Sequence, residues 1–273
     1  MPELPEVQTV VDGVYHHLIN QTITAVWRSN FNLRSPYQAD LSDKIVGAKF
    51  YAVKRRAKFI IAELEVDLVI HLGMSGKLLI KDSNYKPVKH DHVILSLSSG
   101  KQLVFNDPRR FGYFFWTLSA QDYLSHYGLE PLDDKFTSSY LLKYCKNKKT
   151  SIKNLIMDQR VVVGVGNIYA CEALFHAKVL PTLQSKLLQS DAATQLVSSI
   201  KSILSKAINQ GGTTLRDYRQ ANDELGYFQQ QLYVYGRSNE SCYSCGDEIC
   251  ITRQAGRSTF YCKGCQGVID SVK

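Results

Sequence analysis

The 273-residue chain has no apolar run long enough to span a bilayer and no basic-then-apolar leader at its N-terminus. It carries no internal repeat and no low-complexity tract. These absences predict a cytosolic protein of ordinary globular build. Acid is in short supply: 25 Asp+Glu face 33 Lys+Arg, a formal charge of +8. A balance of that sign favours a polyanionic partner. Cysteine is sparse until the end, since of seven only Cys145 and Cys171 precede residue 242. An odd, clustered set in a cytosolic chain points to metal and not to disulfides. What is present in normal amount is core material: 44% hydrophobic residues, enough at this length for two domains.

The apolar pattern changes along the chain. Val7, Val10, Val11, Val14, Leu18 and Ile19 recur at helical spacing, predicting an amphipathic helix over about 3–19. From Ile23 to Trp116 short alternating runs such as "AKFIIAEL", "LVIHLGMSG" and "KQLVFND" are punctuated by Gly, Ser, Asn and Pro, predicting a β-sandwich. "GLEPLDDKF" interrupts this, and helical periodicity follows in "SSYLLKYCK", "SIKNLIMD", "NIYACEALFHAKV" and "AATQLVSSIKSILSKAINQ". The organisation read from this is an N-terminal domain at 1–131, a helical module at 132–228 and a Cys-rich segment at 229–273.

Cys242-x2-Cys245-x16-Cys262-x2-Cys265 is the most specific pattern. Two CxxC pairs at this separation can close a tetrahedral four-thiolate site for one structural Zn²⁺. "ICITRQ" and "RSTFYC" flank "AG", predicting a β-hairpin with the pairs at its base and Arg257 at its tip. Residues so polar cannot hold a hairpin by burial alone, so the metal supplies folding free energy. Four thiolates and Zn²⁺ change +8 to nearer +6, which leaves the chain basic. Cys250 falls outside both pairs. In the middle, Gly164 and Gly166 precede Asn167, which sits where a helix N-cap belongs. Backbone N–H groups at such a helix start can cradle phosphate, with Lys146, Lys148, Lys149 and Lys153 nearby. Alternatively Asn167 merely caps and the lysines are solvated.

In chain order, "PELPEV", "RRAKF", "HLGMSG", "KHDHV", "DPRRFG", "VVGVGNIYA", "GGTTLRDY", "VYGR" and "AGRSTFYCKGC" resemble the formamidopyrimidine-DNA glycosylase family, whose sibling is endonuclease VIII. The resemblance runs essentially end to end. It implies an α+β fold: an N-terminal β-sandwich with flanking helices, a helix-two-turn-helix module and a β-hairpin zinc finger. It implies removal of Met1, so that Pro2 becomes a chain-terminal secondary amine with a pKa near the α-amino value of about 8. Such an amine can attack a sugar C1′, displace the base and act as an electron sink for β,δ-elimination. By position alone Pro2 is also an ordinary helix starter, and Glu3 and Glu6 ordinary partners of a helix dipole.

The implied roles are Glu3 as acid/base, Glu6 as organiser of the amine, Lys58 as second-stage proton shuttle and Arg257 as the δ-elimination residue. Met74, Arg109 and Phe111 fill the hole left by an extruded base. His90, Arg109, Lys148, Asn167, Arg216 and Tyr235 hold phosphates, and "RQANDELGYF" at 219–228 is a lesion loop. Gln8 departs from the acid expected at that position in many members. The resemblance thus implies a monomeric repair enzyme acting on damaged double-stranded DNA, excising oxidised purines such as 8-oxoguanine and formamidopyrimidines. Two other readings stand beside it: an endonuclease VIII-like enzyme for oxidised pyrimidines, and a non-catalytic zinc DNA-binding module.

Overall fold

The computed structural model describes residues 1–211 and 232–267. Its elements in chain order begin with α1 (Leu4–Leu18), β1 (Ile23–Arg28), α2 (Leu41–Ile45), β2 (Ala52–Arg56), β3 (Phe59–Glu63) and β4 (Asp67–His71). Next come β5 (Lys77–Lys81), β6 (Asp91–Leu97), β7 (Gln102–Asn106), β8 (Tyr113–Thr117) and α3 (Ala120–Tyr123). The remainder is α4 (Ser138–Cys145), α5 (Ile152–Ile156), α6 (Asn167–His176), α7 (Ser190–Asn209), β9 (Ile249–Gln254) and β10 (Arg257–Cys262). Residues 1–126 make one compact unit, while 127–209 and 232–267 make another. No helix among the described residues is long and apolar enough to cross a membrane.

The first unit is a sandwich of two antiparallel four-stranded sheets, in the orders β1-β6-β7-β5 and β2-β3-β4-β8. Alternation is what builds it: Val53, Ile60, Leu68, Ile70 and Phe114 of one sheet share a core with Ile23, Leu78, Val93, Leu95 and Phe105 of the other. Helix α1 adds Val7, Val10, Val11, Val14 and Leu18 to that same core and packs on β2 and β5. Its apolar stripe therefore fixes where the chain start lies relative to the strands.

In the second unit α7 buries Leu196, Ile200, Ile203 and Leu204 and packs against α4 and α6. Thr137 caps α4 and Ser151 caps α5, each accepting a backbone N–H through its hydroxyl. The β9–β10 hairpin belongs to this unit. Ile249 and Phe260 cluster with Val234, Cys171 and Phe175, so the hairpin packs against α6. These contacts give the hairpin a small apolar footing beside the four cysteines at its base.

Candidate functional site

The chain start is organised by carboxylates. Met1 is exposed and Pro2 buried, followed by Glu3 at the N-cap of α1. The Glu3 backbone N–H donates to Glu6 Oε2 at 2.8 Å, completing a reciprocal capping box. Both carboxylates are buried, at 3% and 1% exposure, which is rare for acids that serve only a helix dipole. Lys58 lies in the two-residue turn between β2 and β3, where Arg56 pairs with Phe59. It is 7% exposed, so it is not a solvated strand-edge lysine. Its predecessor Ala57 has a positive φ of 56°, and the Ala57 carbonyl accepts from Arg55 Nη1 at 3.0 Å. Arg55 Nε donates in turn to Gln8 Oε1 at 3.1 Å, and Gln8 Nε2 donates to Asp12 Oδ1 at 2.8 Å. An amide at position 8 serves both neighbours, accepting from a guanidinium and donating to a carboxylate, where an acid could only accept.

His71 stands beside Lys58 through the Phe59–His71 pair of β3 and β4. Burial, then the charges of Lys58 and Arg34, push it down to about 4, so the ring is neutral near pH 7. Its Nδ1 accepts the Gly73 N–H at 3.0 Å, which puts the ring proton on Nε2. The sequence reading assigned His71 no role; its motif was visible but its neighbours were not.

Met74 and Phe111 project at 37% and 41% exposure from two loops that touch backbone to backbone. A Cβ on Gly73 would sit 2.5 Å from the Phe111 carbonyl carbon and 2.6 Å from Gly112 N, so only glycine permits this approach. Asp107 knots the two loops together. Its Oδ1 accepts from Ser75 Oγ at 2.7 Å and from Arg109 N at 3.3 Å, and its Oδ2 accepts from Gly112 N at 2.8 Å. The Arg109 guanidinium lies 5.0 Å over the Phe111 ring. Met74, Arg109 and Phe111 are thus brought together, and Asp107, fully buried, is the organiser that sequence reasoning missed. His90, half-buried, enters β6 with a φ of 74°.

In the second unit, Gly166 is the N-cap of α6 and Asn167 its first helical residue, which corrects the expected cap position. Asn167 Oδ1 accepts from Lys153 Nζ at 2.6 Å and Nδ2 donates to the Ser258 carbonyl at 2.9 Å. Lys153 is fully buried and also reaches Thr259 Oγ1 at 2.7 Å, so it ties α5 and α6 to the hairpin and is no solvated phosphate lysine. Lys148 is exposed in the turn after α4. Tyr235 packs edge-on against Phe260, and its N–H donates to Glu172 Oε1 at 2.8 Å. Glu172, buried on α6, also accepts the Tyr233 and Val234 N–H groups at 2.8 and 2.9 Å. Burial raises its pKa while the three N–H donors pull it back. Arg216 and the loop 219–228 lie outside the described residues.

Arg257 opens β10 at the exposed hairpin tip, opposite Gln254. Ala255 and Gly256 both have positive φ, 46° and 75°, as a tight primed turn requires. At the other end Cys242, Cys245, Cys262 and Cys265 place their sulfurs within 4.8 Å of one another. The 242–265 and 245–262 pairs are 3.7 and 3.3 Å apart. Tetrahedral zinc with bonds of about 2.3 Å requires sulfurs about 3.8 Å apart, so the donor set fits. A side chain on Gly264 would overlap the Asp247 carboxylate and close to 3.2 Å on the Cys245 sulfur. Burial, then the adjacent Cys245 and Cys242 thiols, raise the Cys265 pKa, a penalty on ionisation that a divalent cation would remove.

Residues 1–114 match the model of the formamidopyrimidine-DNA glycosylase N-terminal domain, and residues 127–219 match that of the formamidopyrimidine-DNA glycosylase H2TH domain. The chain is 47% identical over 271 residues to the formamidopyrimidine-DNA glycosylase of Rickettsia bellii, covering 97% of this chain and 99% of that one. Identity to the Yersinia enterocolitica protein of the same name is also 47%, over 97% of this chain and 100% of the relative. A crystal structure of a Lactococcus lactis FPG variant in complex with DNA containing Fapy-dG superposes with a TM-score of 0.90 at 32% identity, covering 98% of this chain and all of that one. By both its sequence and its fold, the chain belongs to the formamidopyrimidine-DNA glycosylase family.

Proposed function

We propose that this protein excises oxidised purines from double-stranded DNA and then cleaves the strand, using the Pro2 nitrogen as nucleophile. While Met1 is attached, that nitrogen is a tertiary amide with no proton and no basic lone pair. Once Met1 is removed it is a secondary amine with a pKa near 8, lowered further by the positive end of α1. Attack on C1′ breaks the glycosidic bond, the amine sheds its proton, and the C1′–O4′ bond then opens to leave an iminium; Glu3 protonates the leaving base or the ring oxygen. The resulting iminium draws electrons from C2′; loss of the C2′ proton expels the 3′ phosphate, and a second elimination expels the 5′ phosphate.

The observation that carries this reading is the pair of buried carboxylates at the chain start, with Glu6 fixed on the Glu3 backbone one residue from Pro2. Glu6 organises the amine, and Lys58, shielded in its turn, serves the second proton transfer. Arg257 acts in the last elimination. Met74, Arg109 and Phe111 occupy the space of the extruded base, while His90, Lys148, Asn167, Arg216 and Tyr235 hold the backbone. Zn²⁺ on Cys242, Cys245, Cys262 and Cys265 is structural and fixes the hairpin that presents Arg257. By role the chain divides into catalytic residues 1–131, a DNA-binding module at 132–228 and the hairpin segment 229–273, working as a monomer in the cytosol.

Borohydride reduction tests the covalent step. Protein shown by mass spectrometry to start at Pro2 is expected to cross-link to duplexes containing 8-oxoguanine or an abasic site. No adduct with either would remove the lyase and leave a binding module. Trapping on oxidised pyrimidines alone would reassign the substrate.

A further inference from the structure

Away from α1 and its turn, the first unit holds an open cavity of about 770 Å³ between the end of β1 and the loop entering β6. Its walls combine two chemistries. Phe31, Val88 and Trp27 are 62%, 57% and 40% exposed there, a large outlay of apolar surface for one opening. Arg28, Lys89 and Arg110 line the same space. Arg110 sits 5.5 Å over the Phe31 ring and Arg28 5.9 Å over that of Tyr37.

The cavity also contains one carboxylate, that of Asp91, and it is committed elsewhere. Its oxygens accept from Tyr85 Oη at 2.7 Å, Val88 N at 2.8 Å and Asn106 Nδ2 at 2.8 Å. His92 is likewise bound inward, to Ser29 Oγ and the Asp107 carbonyl. Among the described residues no carboxylate pairs with Arg28, Lys89 or Arg110. Two lining residues, His90 and Arg110, hold positive φ values of 74° and 57°, a conformation that costs a bulky side chain energy.

We propose that this cavity is a second nucleic-acid subsite that takes an unpaired nucleotide, its base against Trp27 and Phe31 and its phosphate on Arg28, Lys89 and Arg110. The three cations select an anion, and flat exposed rings select a planar partner. A base inside an intact duplex cannot offer its face to a ring outside the stack, so the occupant is a single-stranded or frayed nucleotide. Bare duplex backbone would satisfy the cations but leave the apolar walls without a partner. The proposal rests on the reading of this protein as a DNA enzyme: Arg110 follows Arg109 directly, so the subsite adjoins the loop assigned to the vacated base position.

Fluorescence reads the cavity, because the chain has two tryptophans and Trp116→Phe leaves Trp27 alone. Should that variant fold poorly by circular dichroism, the difference between the native chain and Trp27→Phe supplies the same signal. The probes are a six-nucleotide oligothymidylate, thymidine 5′-monophosphate, a blunt undamaged duplex and an acidic phenylalanine-containing peptide. Saturable quenching by the oligonucleotide is expected, with affinity falling roughly tenfold in Phe31→Ser or Arg110→Gln. Quenching by the monophosphate as well assigns a single nucleotide, and by the oligonucleotide alone a strand; both support the proposal. No quenching by the oligonucleotide, equal quenching by the blunt duplex, or quenching by the peptide alone overturns it. Phe31→Ser is expected to keep full borohydride trapping on a short blunt lesion duplex. Failed trapping in the unaltered protein would therefore strike the proposed catalysis, while failed quenching would strike only this subsite.

Discussion

The two compact units hold their functional side chains by different physics. In the sandwich, α1 and eight strands share one apolar core, and the polar residues of interest ride on turns at its margin. In the helix-and-hairpin unit the ties are themselves polar: Lys153 joins α5, α6 and β10, Glu172 gathers three backbone N–H groups, and Gln266 links the Cys262 N–H to the Val179 carbonyl. A core made of many small contributions loses little with any one of them. Buried polar ties concentrate the cost in a few atoms, because each broken tie leaves unpaired partners away from water.

The largest effect is expected at the cysteines. Chelating the metal, or Cys262→Ser, should free the hairpin and abolish DNA binding while the sandwich stays folded. Amide exchange checks this: protection should vanish at Ile249–Gln254 and Arg257–Cys262 and persist in β3, β4 and β6. Uniform loss of protection would erase the contrast between the units.

Next is Lys153→Met, which keeps the stem but takes the ammonium from Asn167 Oδ1 and Thr259 Oγ1. Denaturant unfolding should show a loss of roughly 3 kcal/mol. A loss near that of a surface substitution would mean that packing, and not the polar tie, holds hairpin to helices.

The sandwich has polar liabilities too, and pH exposes that of His71. His71 titrates near 4 in the fold and near 6.5 when unfolded. Between those values the unfolded chain holds the extra proton, so this contribution to stability is complete above pH 6.5 and drains away as pH falls to 4. The slope attributable to one such group is at most about 1.4 kcal/mol per pH unit. His71→Phe should flatten the stability profile in that window; an unaltered profile would show that the ring is not shielded as described.

The smallest effect is expected from Gln8. Gln8→Ala removes the acceptor for Arg55 Nε and should cost about 1 kcal/mol or less. Because Arg55 also holds the Ala57 carbonyl before Lys58, strand cleavage of abasic DNA should slow more than the stability loss explains, and Gln8→Glu should restore it. Equal cleavage by Gln8→Ala would separate α1 from the Lys58 turn.

What was legible in the sequence follows the same divide. Period-2 and period-3.6 patterns marked the strands, α1 and α7, because apolar burial writes itself into local spacing. The four cysteines and the primed turn at Ala255-Gly256 were equally local. Asp107, Glu172 and the inward turn of Lys153 were not, since each depends on a partner far along the chain: 32, 62 and 106 residues away respectively. Asn167 misled for a related reason: an asparagine at a helix start reads as a cap until its side chain is seen spent on Lys153 and Ser258. The burial of Lys58 was not legible either, because nothing in "RRAK" announces the fold around it.

Gly73 carries one more lesson. With no room for a single methyl group between it and the Phe111–Gly112 peptide, the methionine finger and the phenylalanine finger are welded at the knuckle. Evolution cannot adjust the reach of one without disturbing the other. Variation at 74 and 111 should accordingly travel in tandem across descendants of this chain, while 73 stays frozen.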